Sequence, residues 1–192
     1  LLDGIPAGNN HDGGGLAFGP DGKLYATTGE IFQRDLAQRM DSLAGKILRM
    51  NPDGSAPGDN PFSGSLIYTS GHRNPQGLAW TESGQLYSTE HGPSGEMGLR
   101  SRDELNRIEA GRNYGWPLAT TEADDPRYVP AVLNSGADRT WAPAGLVAYK
   151  GGALAPWRGN LFFGALRGQH LHRVVLAPDG SVQSNEELFL NQ

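Results

Sequence analysis

The sequence predicts an all-β fold built from repeated four-stranded units, the pattern of a β-propeller, and three observations carry that prediction. The 192-residue chain holds 28 glycines and 13 prolines against 37% hydrophobic residues, which argues for short strands joined by tight turns rather than for helices. A unit of similar sequence recurs: GLAFGPDGKLYATTGE from Gly15, GLAWTESGQLYSTEHG from Gly77 and GLVAYKGGALAPWRGNLFFGAL from Gly145. Pro-Asp-Gly stands at Pro20, Pro52 and Pro178, where proline presets φ for the first turn position and glycine takes the positive φ that other residues resist, so each is predicted to make a hairpin turn.

Each unit opens with a short apolar strand, turns, and runs into an alternating segment such as KLYAT, QLYST or NLFFG. Alternation with a period of two is what a half-buried strand needs. Residues 16–18 and 24–28 are predicted to pair as a hairpin. A further strand-like element follows each unit, in GKILRMNPDGS, DELNRIEAGRNYG and QHLHRVVLAPDGS. Four-stranded units repeating along a chain read as propeller blades, and about three to three and a half of them fit this length. The spacing exceeds the roughly 40–45 residues of a compact blade, so the surplus is predicted to form loops, at residues 30–42 and 117–140. A β-sandwich explains the alternation but not the recurring unit. Residues 1–192 are expected to be a fragment of a single propeller domain, because Leu1 is not an initiator methionine and Gln192 directly follows a strand-like EELFL. N-terminal blades and the C-terminal end are expected to lie outside it.

Composition narrows the partners. Net charge is −5 with no basic cluster, which speaks against nucleic acid or an anionic membrane surface. No apolar run reaches membrane-spanning length. The absence of cysteine excludes disulfides and thiolate metal sites.

Four segments place polar groups beside glycine and proline. His11 precedes three glycines, where backbone can approach a ligand closely; a loop histidine beside a flexible turn is the ordinary alternative. Glu30 ends the second strand of the predicted hairpin, whose open end brings it near His11, where a carboxylate would fix the imidazole tautomer. Gly71-His72-Arg73-Asn74-Pro75-Gln76-Gly77 combines a planar guanidinium with two amides, suited to a carboxylate-bearing ligand or to a polar turn. Glu90-His91-Gly92-Pro93 exposes backbone carbonyls of the kind that calcium takes, or makes an ordinary Gly-Pro turn. Elsewhere, His170 and His172 share one face of a strand without further zinc ligands at fitting spacing. Asp103 and Glu104 could bind a cation but read more readily as a loop ion pair, and Glu122–Pro126 reads as a solvated loop.

Read together, these segments resemble the glucose/sorbosone dehydrogenase family, the soluble quinoprotein aldose sugar dehydrogenases. The matching stretches are HDGGGLAFGPDGKLYATTGE, LAGKILRMNPDGSAPGDNPF, GHRNPQGLAW, EHGPSG…DELNRIEAGRNYGWP and APAGLVAYKGG, in family order over nearly the whole chain. The resemblance implies a six-bladed propeller that carries pyrroloquinoline quinone and Ca2+ on its top face. It implies oxidation of an aldose at C1 to a lactone, hydride transfer to the quinone, a further electron acceptor, and export to the periplasm or medium. His11 then resembles the base that takes the anomeric hydroxyl proton, Glu30 its orienting carboxylate, and Arg73 the cation beside the reactive quinone carbonyl. Asn74, Gln76 and Lys150 match cofactor contacts, Gly92 and Pro93 the carbonyl pair on the cofactor's calcium, and Trp141 a wall of the sugar pocket. Glu104 and Tyr114 fall where some relatives bind a second calcium.

The chain departs from the family pattern in the Glu96–Ser101 insertion, in Gly15 where many relatives carry arginine, and in an arginine-rich cofactor segment expected just after residue 192. Two other functions fit the same fold: a calcium-dependent propeller lactonase or hydrolase, and a non-catalytic binding module.

Overall fold

The structure, a computed structural model, describes residues 2–119 and 125–190. Among them, twelve strands form three four-stranded antiparallel sheets, the architecture of a partial β-propeller. The first sheet is β1 (Leu16–Phe18), β2 (Leu24–Thr28), β3 (Lys46–Met50) and β4 (Ile67–Ser70). The second is β5 (Pro75–Trp80), β6 (Leu86–Glu90), β7 (Glu104–Ile108) and β8 (Leu133–Asn134). The third is β9 (Pro143–Ala148), β10 (Leu161–Ala165), β11 (His170–Leu176) and β12 (Val182–Leu188). Each sheet is a meander in chain order, as propeller blades are. The chain divides into two compact units, residues 1–75 with 108–130 and residues 76–107 with 131–192.

In the first unit the predicted hairpin is present, with Leu16 opposite Ala26 and Phe18 opposite Leu24. The Pro20 turn closes it through a Gly22 N–H to Gly19 O bond of 3.0 Å. Arg49, on β3, holds this turn by donating to Asp21 at 2.9 Å, and holds the later loop by donating to Asp59 at 2.8 Å. The Pro52 turn differs from expectation. Gly54 N–H closes it on Asn51 O at 2.8 Å, but the chain then runs on to β4 through a long connection instead of a tight hairpin. Leu48, Met50 and Ile67 make the core, packed by Leu24, Ala26, Phe62 and Leu66.

Residues 30–42, predicted as a loop, contain a 3-10 turn at Arg34–Gln38. Lys46 anchors it: its buried ammonium donates to the carbonyls of Leu36 (2.8 Å), Ala37 (3.0 Å) and Ala44 (2.7 Å). All three donors are used, so the charge is tolerated, yet burial still pushes its pKa down to about 8.

In the second unit Ala79, Tyr87 and Leu105 from one sheet meet Trp141, Leu161, Phe163 and Val174 of the other in one core. The recurring glycine that opens the second repeat has a steric reason: a Cβ on Gly77 would lie 2.3 Å from the Leu146 backbone nitrogen. Residues 117–140, predicted as surplus loop, hold β8, where Asn134 pairs with Glu104 and Leu133 with Leu105. The Pro178 turn joins β11 to β12 through Gly180 N–H to Ala177 O at 2.9 Å. Of the expected solvated loop at 122–126, Glu122, Ala123 and Asp124 lie outside the described residues.

Candidate active site

The first unit gathers His11, Glu30, Arg73 and Asn74 into one corner. The open end of the β1–β2 hairpin places Glu30 against His11, and the Glu30 carboxylate takes the His11 Nδ1. The other ring nitrogen, Nε2, lies 2.9 Å from Arg73 Nη2. A guanidinium has no acceptor, so His11 Nε2 carries the lone pair and Nδ1 the proton. The carboxylate thus sets the tautomer that leaves Nε2 as the proton-accepting atom. The His11 side chain is 10% exposed and that of Glu30 only 1%.

Backbone packing holds the corner rigid. His11 sits at φ 57, a left-handed conformation uncommon outside glycine. A Cβ at Gly29 would fall 1.8 Å from His11 O, and one at Gly13 would fall 2.6 Å from Thr27 O. The glycines let the His11 segment lie directly on the end of β2. Gly13 N–H donates to Asn74 Oδ1 at 3.1 Å, and Glu30 N–H to Arg73 O at 2.9 Å, which ties the Arg73-Asn74 pair to the same corner. The segment 113–116 docks beside it. Tyr114 N–H reaches Ser70 O at 2.9 Å, Trp116 N–H reaches Gly71 O at 3.0 Å, and Gln38 Nε2 donates to Trp116 O at 2.6 Å.

Two aromatic neighbours of this corner were not foreseen. Phe32 stacks on the His11 ring at 4.1 Å and 16°, and Trp116 lies under the Arg73 guanidinium at 5.6 Å. Trp116 lies in the NYGWP stretch already singled out, but nothing in strand periodicity marks Phe32. Glu30 Oε2 and Trp116 Nε1 are buried with no hydrogen-bond partner among the described residues.

The second unit holds the other expected positions except Tyr114. Gly92 and Pro93 line a cavity of ≈ 500 Å³ together with His91, Asp103 and Asp138. A Cβ on Gly92 would meet Ser101 O at 2.0 Å, so only glycine fits this turn. Asp103 is not half of a loop ion pair. It is buried, and its carboxylate accepts three backbone N–H bonds, from Gly92 (2.9 Å), Trp141 (2.6 Å) and Ala142 (3.0 Å), fixing the cavity wall. Glu104 lies beside the buried Glu90, and Asn106 Nδ2 donates to both, at 2.8 and 3.3 Å. Burial first, then the neighbouring Glu90 charge, pushes the Glu104 pKa well above the ordinary carboxylate range. Asn106 Oδ1 is buried there without a partner among the described residues.

Trp141 is a core side chain, 4.6 Å from His172 and 5.7 Å from Phe163. Gln76 is half-buried in β5, and Lys150 is exposed just beyond β9. Tyr114 belongs to the first unit, where its ring stacks on the His72 ring at 4.7 Å and its hydroxyl accepts from Glu109 N–H at 2.9 Å.

The sequence profile described as Glucose / Sorbosone dehydrogenase matches residues 1–192. The chain belongs to that family. It is 41% identical over 162 residues to quinoprotein glucose dehydrogenase B of Acinetobacter calcoaceticus, covering 73% of this chain and 33% of that protein. It is 36% identical to aldose sugar dehydrogenase YliI of Escherichia coli (strain K12), covering 89% of this chain and 48% of the relative. The solved structure of the pyrroloquinoline quinone-bound aldose sugar dehydrogenase from Streptomyces coelicolor superposes with a TM-score of 0.86 at 38% identity, over 98% of this chain and 52% of that one. The chain therefore spans a third to about half of the length of these family members. No helix among the described residues is long and apolar enough to cross a membrane.

Proposed function

We propose that this chain is the catalytic-base portion of an exported, periplasmic or secreted aldose sugar dehydrogenase, part of a larger single propeller domain, that oxidises the sugar at C1 to a lactone. The observation that carries the proposal is the His11 imidazole held between Glu30 on Nδ1 and Arg73 on Nε2. His11 Nε2 accepts the proton of the anomeric hydroxyl once the sugar displaces the guanidinium contact. Glu30 stabilises the imidazolium that forms, as a carboxylate on the far nitrogen does in other histidine bases. Arg73, freed from His11, presents a fixed positive charge where negative charge develops on the hydride acceptor. Phe32 covers one face of the imidazole and limits water there.

The residues present fit the group that the family resemblance implies. The buried arginine and the buried asparagine bring hydrogen-bond donors to the corner that suit a polyanionic, carbonyl-rich ligand. Pyrroloquinoline quinone, when bound, supplies the two-electron acceptor for the hydride. On family grounds, Arg73 and Asn74 of the first unit are proposed as cofactor contacts, as are Gln76 and the exposed Lys150 of the second, each by its match to the family motif. The carbonyls of Gly92 and Pro93 would ligate the cofactor's calcium. Glu104 fits a second, structural calcium: a half-buried carboxyl beside a buried one, with an unpartnered amide oxygen, is what a hard cation neutralises. Tyr114 is proposed as its companion ligand on family grounds, and Trp141 as a packed wall behind the sugar pocket.

The test is dye reduction by the full-length protein that carries this segment, loaded with calcium and the quinone and supplied with glucose. Turnover that is lost in His11→Asn while quinone absorbance shows the cofactor still bound supports the assignment. A loaded protein that reduces no dye with any aldose defeats it.

A further inference from the structure

We propose that His170, His172 and Glu187 form a zinc-type cation site that clamps β11 to its edge neighbour β12. The register of the sheet supplies what the linear sequence hides. His170 and His172 share a face of β11, and antiparallel pairing sets Glu187 of β12 directly opposite His172. One ligand atom from each of the three lies within 4.8 Å of the others. His170 Nε2 and His172 Nδ1 are 3.0 Å apart, close to the ~3.3 Å edge of a tetrahedron with Zn–N bonds of ~2.0–2.1 Å.

The outer nitrogens determine what faces inward. His170 Nδ1 lies 3.0 Å from Gly168 O, which can only accept, so that nitrogen carries the proton. His172 Nε2 lies 3.2 Å from Asn185 Oδ1, again an acceptor, so it too is an N–H. The two inner nitrogens then point lone pairs at one another, an arrangement that a cation between them satisfies. Both rings are buried, and His172 packs on Phe163 at 4.7 Å and on Trp141 at 4.6 Å. A divalent ion brings the Glu187 carboxylate in as partner and uses both outer N–H contacts to orient the rings, as metal-bound histidines commonly do. Arg139 Nη2 lies 2.8 Å from both Glu187 oxygens, and on metal binding it would keep one while the other turns to the ion. Two imidazoles and one carboxylate suit zinc rather than calcium or magnesium, which take oxygen ligands. Glu187, 18% exposed, gives the ion its way in.

Chelator-stripped protein titrated with Zn2+ by calorimetry, and with Co2+ by visible absorption, is expected to take up one equivalent at this site. Glu187→Gln and His170→Gln should each weaken binding by about tenfold or more. Glu186→Gln, whose carboxylate instead pairs with Arg173, should leave it unchanged. Because Glu187 lies at the rim, its variant separates loss of a ligand from loss of the fold, which circular dichroism checks. The proposal is overturned if the stripped protein takes up no zinc, or if both folded variants hold zinc as tightly as the parent.

Discussion

The two histidine clusters of this molecule, one in each unit, are built in opposite ways. His11 sits in a loop, at a left-handed φ, on a bed of glycines, with its base nitrogen turned to an arginine. His170 opens strand β11 and His172 lies two residues on within regular strand pairing, with flat aromatic packing and a carboxylate across the ladder. The first is positioned by backbone that only glycine allows; the second is positioned by register alone. A histidine placed by strained loop geometry is suited to proton transfer, because the loop fixes one ring nitrogen on a carboxylate and leaves the other against a side chain that substrate can displace. A histidine locked in a ladder is suited to holding something fixed.

That contrast can be broken or sharpened by experiment. The largest expected effect is on turnover. His11→Asn in the full-length, cofactor-loaded enzyme should lower kcat by about 10²–10⁴-fold with little change in melting temperature. A comparable loss of stability instead would make His11 a structural residue like those of β11. Next is the buried ammonium beneath the same loop. Lys46→Met removes a donor from three carbonyls, of which Leu36 O and Ala37 O keep a backbone N–H, and is expected to cost about 1–3 kcal/mol in urea unfolding, spread over the loop at residues 30–45.

The strand cluster should declare itself through pH in chelator-stripped protein. Burial, with the neighbouring His170, depresses the His172 pKa to about 4 from its ordinary 6.5. The unfolded chain therefore binds a proton that the folded chain refuses, so stability is complete above pH 6.5 and declines as pH falls towards 4. The loss should amount to at most about 3 kcal/mol, and His172→Phe should flatten that slope in unfolding curves measured between these limits. The smallest effect belongs to neither cluster: Arg158→Ala removes an exposed pair with Glu82 and should change stability by no more than about 0.5 kcal/mol.

The sequence revealed these regions unequally. Strand alternation and the Pro-Asp-Gly turns were enough to place the β1–β2 hairpin, and its open end was enough to bring Glu30 to His11. The Pro52 turn misled, because the same tripeptide closes a local turn whether or not the next strand follows at once. Asp103 read as a loop ion pair since its three partners are backbone amides, two of them far along the chain and none visible as a charge. Phe32 was hidden for a similar reason: it reaches His11 through a left-handed bend at Ile31 and Phe32 that no periodicity announces. His170 and His172 looked incomplete because their third neighbour lies across a hairpin, at a position that only strand register identifies.

Strand β12 bonds to β11 on one side, so its outer N–H and C=O groups form a ready template for another strand. Its sequence, VQSNEEL, is largely polar and carries two adjacent glutamates. A second copy approaching edge to edge would bring four carboxylates together, which opposes fibril-like stacking through simple repulsion. Replacing that pair with valines would trade this protection for a sticky border, and turbidity on standing would reveal it.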